Sequence, residues 1–585
     1  MAITRVFDFL HNQMQEFPQQ VSVAGKYDGK YVTYSTQEFI DIANKVSLGL
    51  IQMGVKKGDK IAIISYNCPE WNFVDFGLMQ LGAVSVPMYP TITEADYKFI
   101  FEHAEVKMVF VENEELYQKV QRATAGIDGI EGIYTFARVE GAPHWTEVRD
   151  RNEGGDPIEI KPFMDQVKPD DLLTLIYTSG TTGQPKGVML NHFNIISNAF
   201  AVSKIFSVDG PNSKALSFLP ICHIFERTAV YTYVYLGISI YYAESLETIS
   251  DNLKEIQPDL FAAVPRLLEK VYDKIISKGL ELTGAKRKLF FWAVEMGLKY
   301  DPNQPPSGLG KIKLNIANKL IFSKWREALG GRTQFIVSGG AALQPRLARV
   351  FWAGRIPILE AYGLTETSPG ISFSQIDDLR IGCVGPLLDG VEVKIAEDGE
   401  VLVKGPNVMV GYYKRQDLTD QAIDQEGWFH TGDIGEMVEN KYLKITDRKK
   451  EMFKTSGGKY VAPQLLENKI KESMLIEQIM VVGDGRRFPS ALIVPNFDSL
   501  KEWAAIKGIT YTTNEDMITK PEVIDKFERE VEKANANFAQ WEKVKKFALL
   551  PQEFTVEKGE MTAKLSLRRK IILDHYGREV EQIYQ

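Results

Sequence analysis

The sequence predicts an α/β protein in which a large N-terminal domain of layered sheets and helices is followed by a smaller α+β domain. Three observations predict this. Short apolar runs alternate with helical patterns through the N-terminal part, the order that builds layered α/β architecture. The last stretch changes texture, to charged helical patterns such as "FEREVEKANANF". The chain has 585 residues with 44% hydrophobic content, enough for several cores and more than one core organises.

The elements follow in order. Ser35 answered by Glu38 reads as a capping box, and Phe39, Ile42, Ala43, Val46, Leu50 and Met53 form the apolar stripe of the helix it opens. Gly54 ends that helix. An apolar run at Ile61 to Ile64 predicts a strand, Pro69 to Leu81 a helix, "AVSVPM" a second strand, and "VKMVFVEN" a third after another helix. Residues 272–332 predict long helices broken by the turn-rich "DPNQPPSGLG". Within Lys274 to Arg326, eleven basic residues stand against three acidic ones, interleaved with "LFFWAV" and "LIF". Such a segment suits an anionic membrane face, or a solvated helical insert with its apolar side in the core, and both readings stay open. The domains are expected at 1–449, including the insert, and 450–585.

Charge and cysteine usage exclude several classes. Sixty-nine basic residues against 77 acidic ones give a net charge of -8, against general attraction to nucleic acid. Cys68, Cys222 and Cys383 are far apart in sequence and contain no C-x-x-C pair, so neither a disulfide framework nor a zinc cluster is readable. The segment "MAITRVFDFLHNQMQEF" lacks the basic start and apolar core of a secretion signal, and no window has the apolar length of a membrane span. A cytoplasmic protein is expected, with peripheral contact at the inner membrane face as the role of the basic segment if that reading holds.

The loop "YTSGTTGQPKGVML", Tyr177 to Leu190, superficially resembles a Walker phosphate loop. That pattern needs Lys after Gly, a hydroxyl after Lys, and a helix beginning there. Here Lys186 follows Pro185 and precedes Gly187, and "VML" predicts a strand running on until a helix starts near Asn191. A glycine-rich hairpin remains, with Thr178, Ser179, Gly180, Thr181, Thr182 and Gly183 able to wrap phosphate oxygens. Alone, a surface turn would explain it equally well.

Four later segments decide the reading: "VSGGAAL" (Val337 to Leu343), "EAYGLTETSPG" (Glu360 to Gly370), "EGWFHTGDIG" (Glu426 to Gly435) and "ITDRKKEMFKTSGGKYVAP" (Ile445 to Pro463). With the loop, they resemble the motifs of the adenylate-forming superfamily over nearly the whole chain. "LPICHIFERT" and "AAVPRLLEKVYDKI", with the helical insert, resemble its long-chain fatty acid CoA ligases. The resemblance implies a large adenylate-forming domain and a mobile C-terminal lid. It also implies ATP and CoA as co-substrates, a fatty acid as acyl donor, and Mg2+ as cofactor. A carboxylate would attack the α-phosphate of ATP, and CoA would then displace AMP.

By the same resemblance, Thr178 to Lys186 cradles the β and γ phosphates. Gly339, Gly340 and Ala341 approach adenine, Tyr362 in Glu360-Ala361-Tyr362-Gly363 stacks on it, and Thr365 contacts the α-phosphate. Glu366 and Thr178 hold magnesium, and Asp433 binds ribose assisted by Arg448. His223 lies beside the acyl carboxylate. Lys450 marks a hinge, and Ser456, Gly457 and Gly458 line the pantetheine path. Some relatives carry an aromatic gate four residues after the histidine, where this chain has Arg227. The resemblance also implies a lysine of the small domain that offsets negative charge as the carboxylate attacks, an electrostatic role of the oxyanion type. In "GEMTAKLSLRRKI" one register selects Lys564 and another Ser566, and Lys564 is preferred. Other readings left open are transfer to a carrier protein, aryl or medium-chain acids, and a non-catalytic nucleotide binder at a membrane surface.

Overall fold

Side-chain caps fix where the helices begin. The Ser35 hydroxyl accepts from the Glu38 N–H while the Glu38 carboxylate accepts from the Ser35 N–H at 2.8 Å, opening helix Thr36–Gln52. Its Phe39, Ala43, Val46 and Leu50 are buried, as the apolar spacing predicts. Helix Pro69–Leu81 has Pro at its first turn and closes on Gly82 at φ 65°, and nearly all of it is buried. The computed structural model describes residues 2–153, 159–178, 184–206, 208–245, 247–562 and 567–585, and the backbone of Ser179.

The chain divides into two compact units. The first holds Met1–Lys394, Leu402–His430 and Glu439–Leu443, and the second Ile395–Val401, Thr431–Val438 and Lys444–Gln585. Among the described residues, the first unit contains two large sheets. One runs in the order Gly370–Phe373, Ile358–Gly363, Phe335–Ser338, Leu260–Ala263, Lys214–Ser217, Ser239–Tyr242, Val23–Tyr27, Lys30–Tyr34. Its pairings are parallel except at the two outer pairs. The other runs Gly411–Tyr412, Pro185–Asn191, Leu172–Ser179, Val84–Met88, Lys60–Ile64, Val106–Val111, Gly132–Thr135. Its last five strands are parallel, and Leu172–Ser179 forms an antiparallel hairpin with Pro185–Asn191. Parallel centres need cover on both faces. Tyr97, Ile100, Phe101, Leu116 and Val120 cover one side of this sheet.

The second unit has its own core around strands Ile476–Val482, Ser490–Pro495 and Lys546–Leu549. Leu466, Ile470, Leu500, Phe527 and Val531 pack with Ile479, Val481 and Ile493. Phe554, Ile572 and Val580 pack with Met480, Leu492 and Val494. The alternation along the strands sends successive side chains to opposite faces, which is why two helical layers are served by one small sheet.

Helix Ile224–Leu236 carries a charge into the interior of the first unit. Arg227 is fully buried. Its guanidinium donates to Asp75 Oδ1 at 2.5 Å, Ser85 Oγ at 2.7 Å and Thr174 Oγ1 at 2.8 Å. It also donates to the Tyr231 hydroxyl and lies 5.1 Å from the Trp71 ring centroid. Tyr231 in turn donates to Asp75 Oδ2. Arg227 therefore ties four elements together in the core and does not stand as a gate at a tunnel mouth.

Removing one partner of a buried ion pair strands the other charge. Asp75→Ala or Arg227→Met alone should cost about 3–5 kcal/mol of stability, and the double replacement should recover much of that. Urea unfolding of the four proteins checks this, and simple additivity of the two single losses would show the pair is uncoupled.

Candidate active site

The phosphate-type loop is built as a hairpin. Thr178 pairs with Lys186 and Ser179 with Pro185. Gly180, Thr181, Thr182 and Gly183 lie outside the described residues, as does the Ser179 side chain. The returning strand runs to Asn191, whose side chain accepts from the Asn194 N–H at 2.8 Å and caps helix His192–Ser203. The helix starts six residues after Lys186, so its N-terminal amides are not presented at the loop as in a Walker site.

Lys186 Nζ lies 4.1 Å from the centroid of the Tyr412 ring. The Tyr412 hydroxyl donates to Glu366 Oε1 at 2.9 Å, and the Met409 N–H donates to the Glu366 carbonyl at 2.8 Å. One tyrosine thus joins the loop lysine to the glutamate of "YGLTE". Burial and the neighbouring Glu366 push the Tyr412 hydroxyl far above its ordinary range, so it stays a donor. Sequence reasoning missed Tyr412. The aromatic pair in "GYYKR" was visible, but nothing local connects it to Lys186.

The segments expected to contact adenine close the ends of neighbouring parallel strands, the usual place for a ligand in such sheets. Phe335–Ser338 pairs with Ile358–Gly363, Ser338 opposite Glu360. Gly339, Gly340 and Ala341 follow the first strand, and Glu360, Ala361, Tyr362 and Gly363 end the second. Gly340 has φ +82°, which a side chain disfavours. At Gly363 a Cβ would fall 1.7 Å from the Pro369 carbonyl oxygen, so only glycine fits. Thr365 is buried in the short helical turn Thr365–Thr367 directly beyond.

His223 caps helix Ile224–Leu236, its Nδ1 accepting from the Phe225 N–H at 3.2 Å. An acceptor at Nδ1 places the proton of the neutral ring on Nε2, making that atom a donor.

In the second unit, Asp433 is buried and its Oδ1 lies 3.3 Å from Arg448 Nε. Its N–H donates to Thr431 Oγ1 at 3.1 Å. Lys449 anchors the same region, its Nζ 2.6 Å from Asp398 Oδ2 and 2.7 Å from Glu400 Oε2. Burial pushes the Asp447 carboxyl up to about 7, against the pull of the Arg448 and Gln464 N–H groups. Lys450 is exposed in the turn after strand Tyr442–Arg448. Strands Phe453–Lys454 and Tyr460–Val461 form a hairpin whose turn holds Ser456, Gly457 and Gly458, with Gly458 at φ +78°. Gly457 lines a cavity of about 550 Å³ together with Lys459, Arg487, Trp541, Lys545 and Lys546. Lys459 Nζ lies 5.4 Å from the Trp541 ring centroid. Lys564 and Ser566 lie outside the described residues. Among the described residues, no group of three or more His, Cys, Asp or Glu gathers to hold a metal.

Comparison with known proteins shows the family. Residues 10–413 match the AMP-binding enzyme family, and residues 451–585 the AMP-binding enzyme C-terminal domain. The chain is 32% identical to a Mycobacterium bovis protein named long-chain-fatty-acid–CoA ligase FadD15, over 97% of this chain and 95% of that one. It is 32% identical to long chain acyl-CoA synthetase 6, peroxisomal, of Arabidopsis thaliana, over 95% and 82%. A mouse protein named long-chain-fatty-acid–CoA ligase 6 is 30% identical over 100% and 88%. Among solved structures, the adenylation domain of a Mycobacterium chelonae carboxylate reductase aligns with TM-score 0.76 at 22% identity, covering 99% of this chain and 91% of that one. ATP-bound MatB from Rhodopseudomonas palustris aligns with TM-score 0.73 at 20% identity, covering 100% of both. The structural likenesses show a shared fold.

One buried carboxyl three residues after His223 makes stability depend on pH. Glu226 is 1% exposed, and neither of its oxygens makes a hydrogen bond of good geometry. Burial pushes it from 4.5 to about 8, with Ser217 drawing it partly back. The folded chain keeps this proton while the unfolded chain releases it, so stability is greatest below about pH 4.5 and is lost as pH rises through about 8. Glu226→Gln should melt close to the parent near pH 5 and above it at pH 8.5. Thermal unfolding across that range checks it, and a gap independent of pH would contradict the raised carboxyl.

Proposed function

The chain belongs to the AMP-binding enzyme family, and from that premise we propose that it joins a long-chain fatty acid to CoA in two half-reactions. In the first, a carboxylate oxygen attacks the α-phosphorus of ATP, forming acyl-AMP and releasing pyrophosphate. In the second, the CoA thiolate attacks the acyl carbon, forming the thioester and releasing AMP. The observation that carries this proposal is the end-to-end likeness to proteins named long-chain-fatty-acid–CoA ligases.

The residues take roles that suit their chemistry. The segment 178–186 cradles the leaving pyrophosphate, and Tyr412 holds the Lys186 ammonium on its ring face. The His223 Nε2–H steers the acyl carboxylate. Tyr362 stacks on adenine beside Gly339, Gly340 and Ala341, Thr365 meets the α-phosphate, and Asp433 accepts from the ribose hydroxyls with Arg448 held against it. Lys450 serves as the hinge, and Lys564 offsets the charge that builds during carboxylate attack.

Magnesium fits this donor set. Mg2+ takes oxygen ligands and binds through one or two carboxylates plus substrate phosphates. The Glu366 carboxylate, oriented by Tyr412, and the Thr178 hydroxyl are donors of that type. When bound, the ion supplies neutralisation of phosphate charge. CoA is taken up by the second unit, pantetheine along Ser456 to Gly458. The anionic nucleotide end reaches the adjoining cavity, where Lys459, Arg487, Lys545 and Lys546 supply charge and Trp541 an aromatic face. Peripheral contact with a membrane completes the proposal, because each methylene of a fatty acid favours an apolar phase by about 0.8 kcal/mol.

Fatty-acid-dependent exchange of labelled pyrophosphate into ATP is the direct test, with AMP rather than ADP as the nucleotide product. Absence of exchange with every chain length would sink the proposal. Lys564→Ala should block acyl-AMP formation by at least about a hundredfold while thioester formation from supplied acyl-AMP stays near the parent rate. Equal survival of both half-reactions would move the role to another residue.

A further inference from the structure

The helical insert of the first unit carries an apolar stripe on its outside. Helix Gly308–Ala317 continues into the π-helical turn Asn318–Phe322. Along them Leu309 is 77% exposed, Ile312 56%, Ile316 44% and Leu320 46%. At about 100° per residue, these four fall within an arc of about 80°. Ala317, Asn318 and Phe322 are buried and anchor the segment from its other side. Scattered exposed apolar residues are ordinary, whereas four along one face with nothing covering them mark an interaction surface.

Charge identifies the partner. On the same helical projection, Lys313 and Lys319 sit about 20° beyond the two borders of the stripe, and Lys324 follows on the Lys313 side. All three, with Lys311, are exposed. Between Pro302 and Arg326 the sequence contains no Asp or Glu. Among the described residues, none of these four lysines enters a salt bridge. A second copy of the chain, paired face to face about a two-fold axis, would set lysine rows against lysine rows. An anionic bilayer satisfies both parts of the surface. The leucines and isoleucines enter the acyl boundary, and the lysines reach the headgroups at its edge. No described helix is long and apolar enough to cross a membrane, so docking of this kind lies in the plane of the bilayer surface.

We propose that the Leu309, Ile312, Ile316 and Leu320 stripe, bordered by Lys313 and Lys319, is the docking surface for an anionic lipid bilayer. The proposal deepens the fatty acid reading and rests on it for its purpose, since the bilayer is where a long-chain acid collects. Its chemistry needs no turnover.

Flotation of the full chain with vesicles, without ATP, CoA or fatty acid, tests it. The parent should float with phosphatidylcholine vesicles containing about 30% phosphatidylglycerol, less with phosphatidylcholine alone, and less again at high salt. Ile312→Glu/Ile316→Glu should weaken binding about tenfold or more, and Lys313→Glu/Lys319→Glu should weaken it on anionic vesicles chiefly. Unchanged melting midpoints would show that both variants are folded. Equal flotation of parent and isoleucine variant overturns the proposal. So does a parent that ignores vesicles but forms a dimer which the isoleucine variant breaks. Failure of pyrophosphate exchange would remove the ligase reading, while flotation would decide the docking surface by itself.

Discussion

A guanidinium cannot give up its charge inside a protein, so the burial of Arg227 constrains everything around it. The desolvation cost is met only if each donor finds a partner, and those partners come from different elements. Asp75 lies in helix Pro69–Leu81, Ser85 in strand Val84–Met88 and Thr174 in strand Leu172–Ser179. Burial pushes the Asp75 carboxyl up, and Arg227 and Tyr231 pull it back toward the ionised form. The consequence reaches the chemistry. Thr174 precedes Thr178 on the strand that enters the phosphate hairpin, and Arg227 follows His223 on the helix that His223 caps. One buried charge therefore ties the strand leading into the glycine-rich hairpin to the helix that His223 caps. A neutral side chain could fill that space, but it would not demand the same four partners.

Local features were legible in the sequence because their physics is local. The Ser35–Glu38 capping box, the helix from Pro69 to Leu81 and the strand continuing from Lys186 to Asn191 each depend on residues a few positions apart. Arg227 was not legible as a core residue. A charge in a helical stretch ordinarily reads as solvated, and Asp75, Ser85 and Thr174 are remote in sequence. Tyr412 was missed for the same reason, being joined to Lys186 and Glu366 only through the fold. The basic insert was legible in composition but not in direction. Phe290, Val294, Phe322 and Trp325 enter the core, as a helical insert with its apolar side inward would have it, while Leu309, Ile312, Ile316 and Leu320 stay outside. The motifs of the site were readable as a set because five of them occur in order, although the loop centre and Lys564 lie beyond the described residues.

The hairpin explains why a glycine-rich loop with a lysine need not do Walker chemistry. A helix starting at the loop aims its free amides and positive end at the phosphates, concentrating stabilisation at one point. Here the segments on either side of the loop are paired strands, not a helix, and the helix begins only after Asn191. In the proposed reaction Lys186, which lies over the Tyr412 ring, is the side chain that meets the phosphates. Glu366 fixes that ring by accepting from its hydroxyl, so lysine and carboxylate are spaced by one rigid aromatic group. A cation and an acid separated in this way suit a leaving pyrophosphate on one side and a metal-bridged phosphate on the other. With no hydroxyl following Lys186, the loop lacks the side chain that γ-phosphate transfer places on its metal. The departure that first separated this loop from the Walker pattern is thus the feature that fits attack at the α-phosphorus.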